Sequence, residues 1–116
     1  MKIEIEIPDD VMPKLAKDIM DNYPEASSGN CLQCVRYDYK NGIFVFIDTE
    51  TDTEYTVTTK DIARVLPKFI EGIIFKKWKF CGLTFDNVLQ FDAGDYDGYS
   101  IDGVVQLAIF DDIIYG

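Results

Sequence analysis

Tyr39-Lys40-Asn41-Gly42-Ile43-Phe44-Val45-Phe46-Ile47 is the stretch that decides the fold. Asn41-Gly42 is a strong short-range hairpin signal, because both central residues of a type I′ turn need positive φ. Cys31 to Lys40 reads as the strand entering that turn. Ile43 to Ile47 reads as the returning strand, apolar on both faces and therefore central in its sheet. Thr49 to Thr53 makes a second, polar connection, and Glu54 to Thr58 reads as a third strand. Three strands joined by short turns form a meander.

Toward the N-terminus, Lys2 to Ile7 alternates strictly, with Ile3, Ile5 and Ile7 on one face and Lys2, Glu4 and Glu6 on the other. That is the pattern of a half-buried strand. Pro8 ends it. Asp9 or Asp10 is placed to cap a helix reaching Asn22, with Val11, Leu15 and Ile19 beside Met12, Ala16 and Met20 forming its apolar stripe. Pro13 suits the first turn, where a missing N–H costs little. Pro24 to Asn30 reads as a loop.

Toward the C-terminus, Thr58 or Thr59 is placed to cap a helix carrying Ile62, Val65, Leu66, Phe69, Ile70, Ile73 and Ile74 at helical spacing. Pro67 and Gly72 fall inside it and predict a kink or break near Leu66. Cys81-Gly82 is a break, Thr84 to Phe91 a short helix, and Asp92 to Ser100 an acidic loop. Ser100 is placed to cap a last helix over 101–114, apolar nearly all round and so largely buried. The predicted order is β-α-β-β-β-α-α-α. This is a single α+β domain over residues 1–116, an antiparallel sheet with helices on one face.

Composition narrows the chemistry. The chain has 116 residues, 47% of them hydrophobic, which suits one domain with one core. No apolar run is long enough for a membrane span, and the acidic start does not resemble a signal peptide, so the expected location is the cytoplasm. Three cysteines are an odd number and argue against a disulfide framework. The net charge of −10 opposes direct binding to nucleic acid or anionic lipid and favours basic partners. The chain has no histidine, which removes the commonest general base, the commonest metal ligand and every Ser-His or Cys-His system. The expectation is a non-enzymatic protein with no cofactor and no metal.

The charge is uneven. Phe80 to Gly116 holds seven aspartates and no lysine or arginine, whereas Lys60 to Lys79 holds six bases against Asp61 and Glu71. In Asp48-Thr49-Glu50-Thr51-Asp52-Thr53-Glu54 an acid recurs at every second residue. On an extended strand these carboxylates would share a face about 6.8 Å apart, twice the rise of ~3.4 Å per residue. Such a line can imitate a sugar–phosphate backbone and enter a basic nucleic-acid channel on another protein. The plain alternative is a solvated hairpin tip, and a turn inside the run would break the spacing. Asp92, Asp95 and Asp97 form a second acidic patch.

Other constellations carry less. Aligned to a calcium loop with Gly98 at the sixth position, Asp95 and Asp97 match, but Ala93 and Val104 stand where the anchoring ligands belong. Cys31 and Cys34 have CxxC spacing, but only Cys81 and carboxylates remain to complete a zinc site. Lys60, Arg64 and Lys68 recur at i, i+4, i+8 on the polar side of the helix, and Lys76, Lys77 and Lys79 flank Trp78. This basic helix is the alternative, a nucleic-acid-binding surface. Asp111-Asp112 has no spacing that assigns it a catalytic role.

Asp92-Ala93, Asp97, Ile101-Asp102-Gly103-Val104-Val105-Gln106-Leu107-Ala108-Ile109-Phe110 and Ile114-Tyr115-Gly116 resemble the tails of small uncharacterised proteins of phages and other mobile elements. The resemblance covers about a quarter of the chain and carries over no functional residue. It implies an accessory protein of such an element, a group that includes inhibitors of host defence such as anti-CRISPR proteins, some of them nucleic-acid mimics. The expected function is therefore an acidic inhibitor that enters the basic groove of a nucleic-acid-binding protein or protein–RNA complex. Asp48, Glu50, Asp52 and Glu54 are its expected contacts, with Asp92, Asp95 and Asp97 as the second patch. A toxin-neutralising immunity protein is the third reading.

Overall fold

The computed structural model describes residues 10–26, 32–75, 83 and 85–114. The strand expected over Lys2–Ile7 lies outside them. Helix α1 spans Met12–Ala26 and buries Met12, Leu15, Ala16, Ile19 and Met20 on one stripe. Asp10 stands one residue too early to cap it. The residue adjoining the helix is Val11, whose carbonyl accepts from the Leu15 amide at 3.1 Å. The helix passes the expected end at Asn22 and includes Pro24. In a last turn, the missing proline N–H removes a single bond.

Strands β1 (Leu32–Asp38), β2 (Ile43–Asp48) and β3 (Thr53–Thr58) form one antiparallel sheet in that order. Phe44 lies opposite Val57, and Phe46 opposite Tyr55. The two-residue period sends Phe44, Phe46 and Val57 into the core and Ile43, Val45 and Ile47 to the other face. On that outer side Ile43 remains 39% exposed. The β1–β2 register shifts between Cys34 and Arg36, a bulge at Val35.

The first turn differs from the expected type I′. Asp38 pairs with Ile43, so the connection holds four residues, Tyr39–Gly42. Gly42 has φ +64°, and Asn41 does not have positive φ. In the longer loop one left-handed residue suffices. Asn41 instead donates to the Asp38 carboxylate, from Nδ2 at 2.7 Å and from its amide at 3.2 Å. These donors hold the Asp38 carboxyl below its ordinary pKa. Gly42 is required twice over, since a Cβ there would come within 2.5 Å of Thr59 Oγ1.

Helix α2 (Thr59–Ile74) opens with a capping box: Thr58 Oγ1 accepts from the Asp61 amide, and Asp61 accepts from the Thr58 amide. Of the kink or break expected near Leu66, the break does not occur, since α2 runs unbroken through Pro67. Pro67 forfeits one backbone bond, but Ile62, Leu66, Phe69 and Ile70 are all fully buried, and tertiary packing outweighs the local defect. Helix α3 is one turn, Phe85–Val88, shorter than expected. A 3₁₀ turn, Ala93–Asp95, interrupts the expected acidic loop.

Helix α4 spans Gly98–Phe110. Its cap is Asp97, where Ser100 was expected. The Asp97 carboxylate accepts from both the amide and the hydroxyl of Ser100 at 2.8 Å, whereas Ser100 sits buried inside the first turn. The helix ends four residues early because Asp111 turns left-handed, at φ 58°. Ile101, Val104, Val105 and Leu107 are buried as its apolar circumference predicts. Helices α1, α2 and α4 pack on one another, and α2 and α4 also meet β3. The described chain is thus an α+β domain with a three-stranded antiparallel sheet. Among the described residues, no helix is long and apolar enough to cross a membrane.

Candidate functional site

The expected line of carboxylates over 48–54 is bent in two. The β2–β3 connection, Thr49–Asp52, falls inside it, with Asp48 closing β2 and Thr53 opening β3. Asp48 is 1% exposed. One of its carboxylate oxygens accepts from the Glu50 amide at 2.9 Å, and its carbonyl accepts from the Asp52 amide at 2.7 Å. Its role is to shape the turn, and it faces inward. Asp52 takes the left-handed position, φ 57°, matching Gly42 in the first hairpin. The two turns are built alike: four residues, an aspartate before them whose carboxylate accepts from the loop, and a left-handed residue last.

Three members of the run remain at the surface. Glu50 and Asp52 are exposed at the tip. Glu54 is exposed on β3 and forms an ion pair with Arg36 of β1 at 3.3 Å. These two side chains reach across the central strand on the outer face of the sheet.

A second exposed carboxylate pair follows helix α4. The rings of Tyr55 on β3 and Phe110 at the end of α4 meet edge to face, with centroids 5.4 Å apart. Tyr55 lies two residues into β3 from the tip, and Asp111 and Asp112 follow Phe110 directly. Both aspartates are exposed, and Lys68 Nζ donates to the Asp111 carboxylate at 3.1 Å and to its carbonyl at 2.9 Å. Asp111 and Asp112 thus follow a ring that touches β3 on the helix side of the sheet, whereas Glu54 and its partner Arg36 lie on the opposite, outer face.

The second expected patch is elsewhere. Asp97 and Asp111 bracket the thirteen residues of α4, about 20 Å apart at ~1.5 Å per residue. Asp92 lies on the α1 side, near enough for its charge to act on Lys14. Asp92 also caps the 3₁₀ turn, accepting from the Gly94 amide at 2.9 Å. The two expected acidic patches thus do not form one surface. Of the two residues that match the calcium-loop alignment, Asp97 already accepts from the Ser100 amide and hydroxyl. Among the described residues, no three His, Cys, Asp or Glu side chains gather into a metal-holding group.

The basic helix is divided. Lys60 and Arg64 are exposed, and Lys68 is engaged by Asp111. Lys76, Lys77, Trp78 and Lys79 lie outside the described residues. So do Cys31 and Cys81. Cys34 is half-buried, and that burial pushes its thiol pKa up, the opposite of an activated thiolate.

No protein-family model, curated protein or solved structure matches the chain.

Proposed function

We propose that this protein is a non-enzymatic inhibitor from a mobile element that docks its acidic end on the basic groove of a nucleic-acid-handling protein. The contact residues are Glu50, Asp52 and Glu54 of the hairpin with Asp111 and Asp112 at the end of α4. The observation that supports this reading is the Tyr55–Phe110 contact, which brings the end of α4, and the exposed Asp111 and Asp112 after it, against the strand that leaves the acidic hairpin. A net charge of −10 steers the whole chain toward a basic surface. The cluster replaces the straight carboxylate line as the imitation of phosphates. Arg36 and Lys68 hold Glu54 and Asp111 in position and leave a net negative surface around them.

The test is retention of partners from a nuclease-treated host lysate at low and high salt. Wild-type protein is compared with Glu50→Lys/Asp112→Lys and with Asp10→Lys/Glu71→Lys, which makes the same charge change at other exposed positions. The reading expects a basic nucleic-acid-handling protein held by the wild type and by the second variant, shed at high salt, and lost from the first. Equal loss from both variants would reduce the interaction to net charge.

A further inference from the structure

A cleft of roughly 470 Å³ lies between α1, the first hairpin turn and the start of α2, away from the acidic end. Its lining includes Lys17, Lys40 and Lys60, with Pro13, Tyr39 and Ile43 as an apolar wall. Three lysines around one cleft are notable on a chain with 21 acidic and 11 basic residues.

The ion pairing sharpens the contrast. Lys14, Lys17, Arg36 and Lys68 each reach a carboxylate. Lys40, Lys60 and Arg64 form no ion pair among the described residues, and two of those three face this cleft. Carboxylates are abundant on this chain, yet none among the described residues pairs with them. Asp38, on the same turn, has its carboxylate engaged by both donors of Asn41.

The backbone at the cleft is already fixed. The Thr59 amide donates to the Gly42 carbonyl at 2.9 Å, tying the hairpin turn to the start of α2. The Thr58 and Asp61 amides are held by the capping box. Tyr39 is braced against Tyr37, with ring centroids 4.7 Å apart, and against Phe44 at 6.0 Å. A ligand would meet a wall that is formed before it arrives.

We propose that this cleft binds a mononucleotide, its phosphate held by Lys40 and Lys60 with Lys17 at the margin, and its base against Tyr39, Pro13 and Ile43. The volume falls within the range of about 300–1,000 Å³ typical of small-ligand pockets. The net charge selects the size of the ligand. A small dianion responds to charges within a screening length of about 8 Å, and the charged residues that line the cleft are all lysines. A polynucleotide would extend past the cleft and be repelled by the acidic body.

The test is an NMR titration of the ¹⁵N-labelled full chain with adenosine monophosphate, inorganic phosphate and adenosine. Saturable shifts with the monophosphate are expected at residues 39–43 and 58–60, with weaker shifts from phosphate at the same amides and none from adenosine. Lys40→Gln/Lys60→Gln changes two exposed side chains and should leave the circular dichroism and Tm unchanged. It should weaken binding by about tenfold or more, the scale of one charge-assisted hydrogen bond. Arg64→Gln, off the cleft, should bind as the wild type does. Absence of saturable shifts with the monophosphate, equal binding of adenosine, or unchanged affinity in the double variant would overturn the proposal. So would tighter binding of a single-stranded oligonucleotide than of the monophosphate. Loss of this binding leaves the acidic-end reading untouched, because the two sites share no residue.

Discussion

Tyr96 shows how much one side chain can reveal. It is 6% exposed, packs on Phe69 with ring centroids 6.1 Å apart, and its hydroxyl has no hydrogen-bond partner among the described residues. A buried hydroxyl left without a partner costs about 1–3 kcal/mol. Tyr96→Phe should therefore raise unfolding stability by ~1 kcal/mol in urea titration. Burial, with the Asp95 charge adding to it, also pushes the phenol pKa upward. The unfolded chain releases this proton near pH 10 while the folded chain retains it, so stability falls as pH rises above about 10. The variant should lose that part of the alkaline decline. A decline of unchanged slope would assign it to other groups. Asp52 offers a second check. Its φ of 57° is tolerated by Asp and natural for Gly, so Asp52→Gly should be neutral or stabilising. Asp52→Val should cost about 1–2 kcal/mol by the same measurement. Neither the orphan hydroxyl nor the strained φ could be read from the sequence. Tyr96 stands in an acidic run that reads as loop, and the β2–β3 turn carries no glycine to mark its left-handed residue.

Among the elements, legibility followed the strength of the repeating pattern. Helix α2 was plain because Ile62, Val65, Leu66, Phe69, Ile70 and Ile73 follow the helical template without interruption. The strands of the first hairpin were plain because Asn41-Gly42 punctuates them, although the turn geometry was not. The errors gathered where two local signals compete. Pro67 argues for a kink or break, of which the buried stripe overrides the break, and Ser100 competes with Asp97 for a cap that the carboxylate holds more strongly. Pro67→Ala restores a backbone donor inside α2 and should raise stability by about 1–3 kcal/mol. A loss would mean that the proline shapes a bend the packing needs. Thr58→Ala removes the hydroxyl that caps the Asp61 amide and should cost ~1 kcal/mol. Thr58→Ser should restore most of it, whereas failure of that rescue would place the loss in methyl packing.

At the scale of the molecule, the charge arrangement depends on contacts distant in sequence. The run from Asp48 to Glu54 identified the hairpin as acidic, but Asp48 itself turned inward to build the loop. The end of α4, with Asp111 and Asp112 after it, meets β3 through a ring contact between residues 55 and 110, a pairing that no local spacing encodes. The basic stretch over 60–79 likewise resolved into unlike parts: Lys60 at the cleft, Lys68 tied to Asp111, and the remainder beyond the described residues. Surface electrostatics of this kind act chiefly on the rate of encounter, which falls with salt when opposite charges steer it. The most direct measurement is the association rate constant for the captured partner across a salt series, using wild type, Glu50→Lys/Asp112→Lys and Asp10→Lys/Glu71→Lys. The acidic end predicts a steep fall with salt for the wild type, a rate at least about tenfold slower with a nearly flat salt slope for the first variant, and near wild-type behaviour for the second. Identical rates and slopes for the two variants would contradict it.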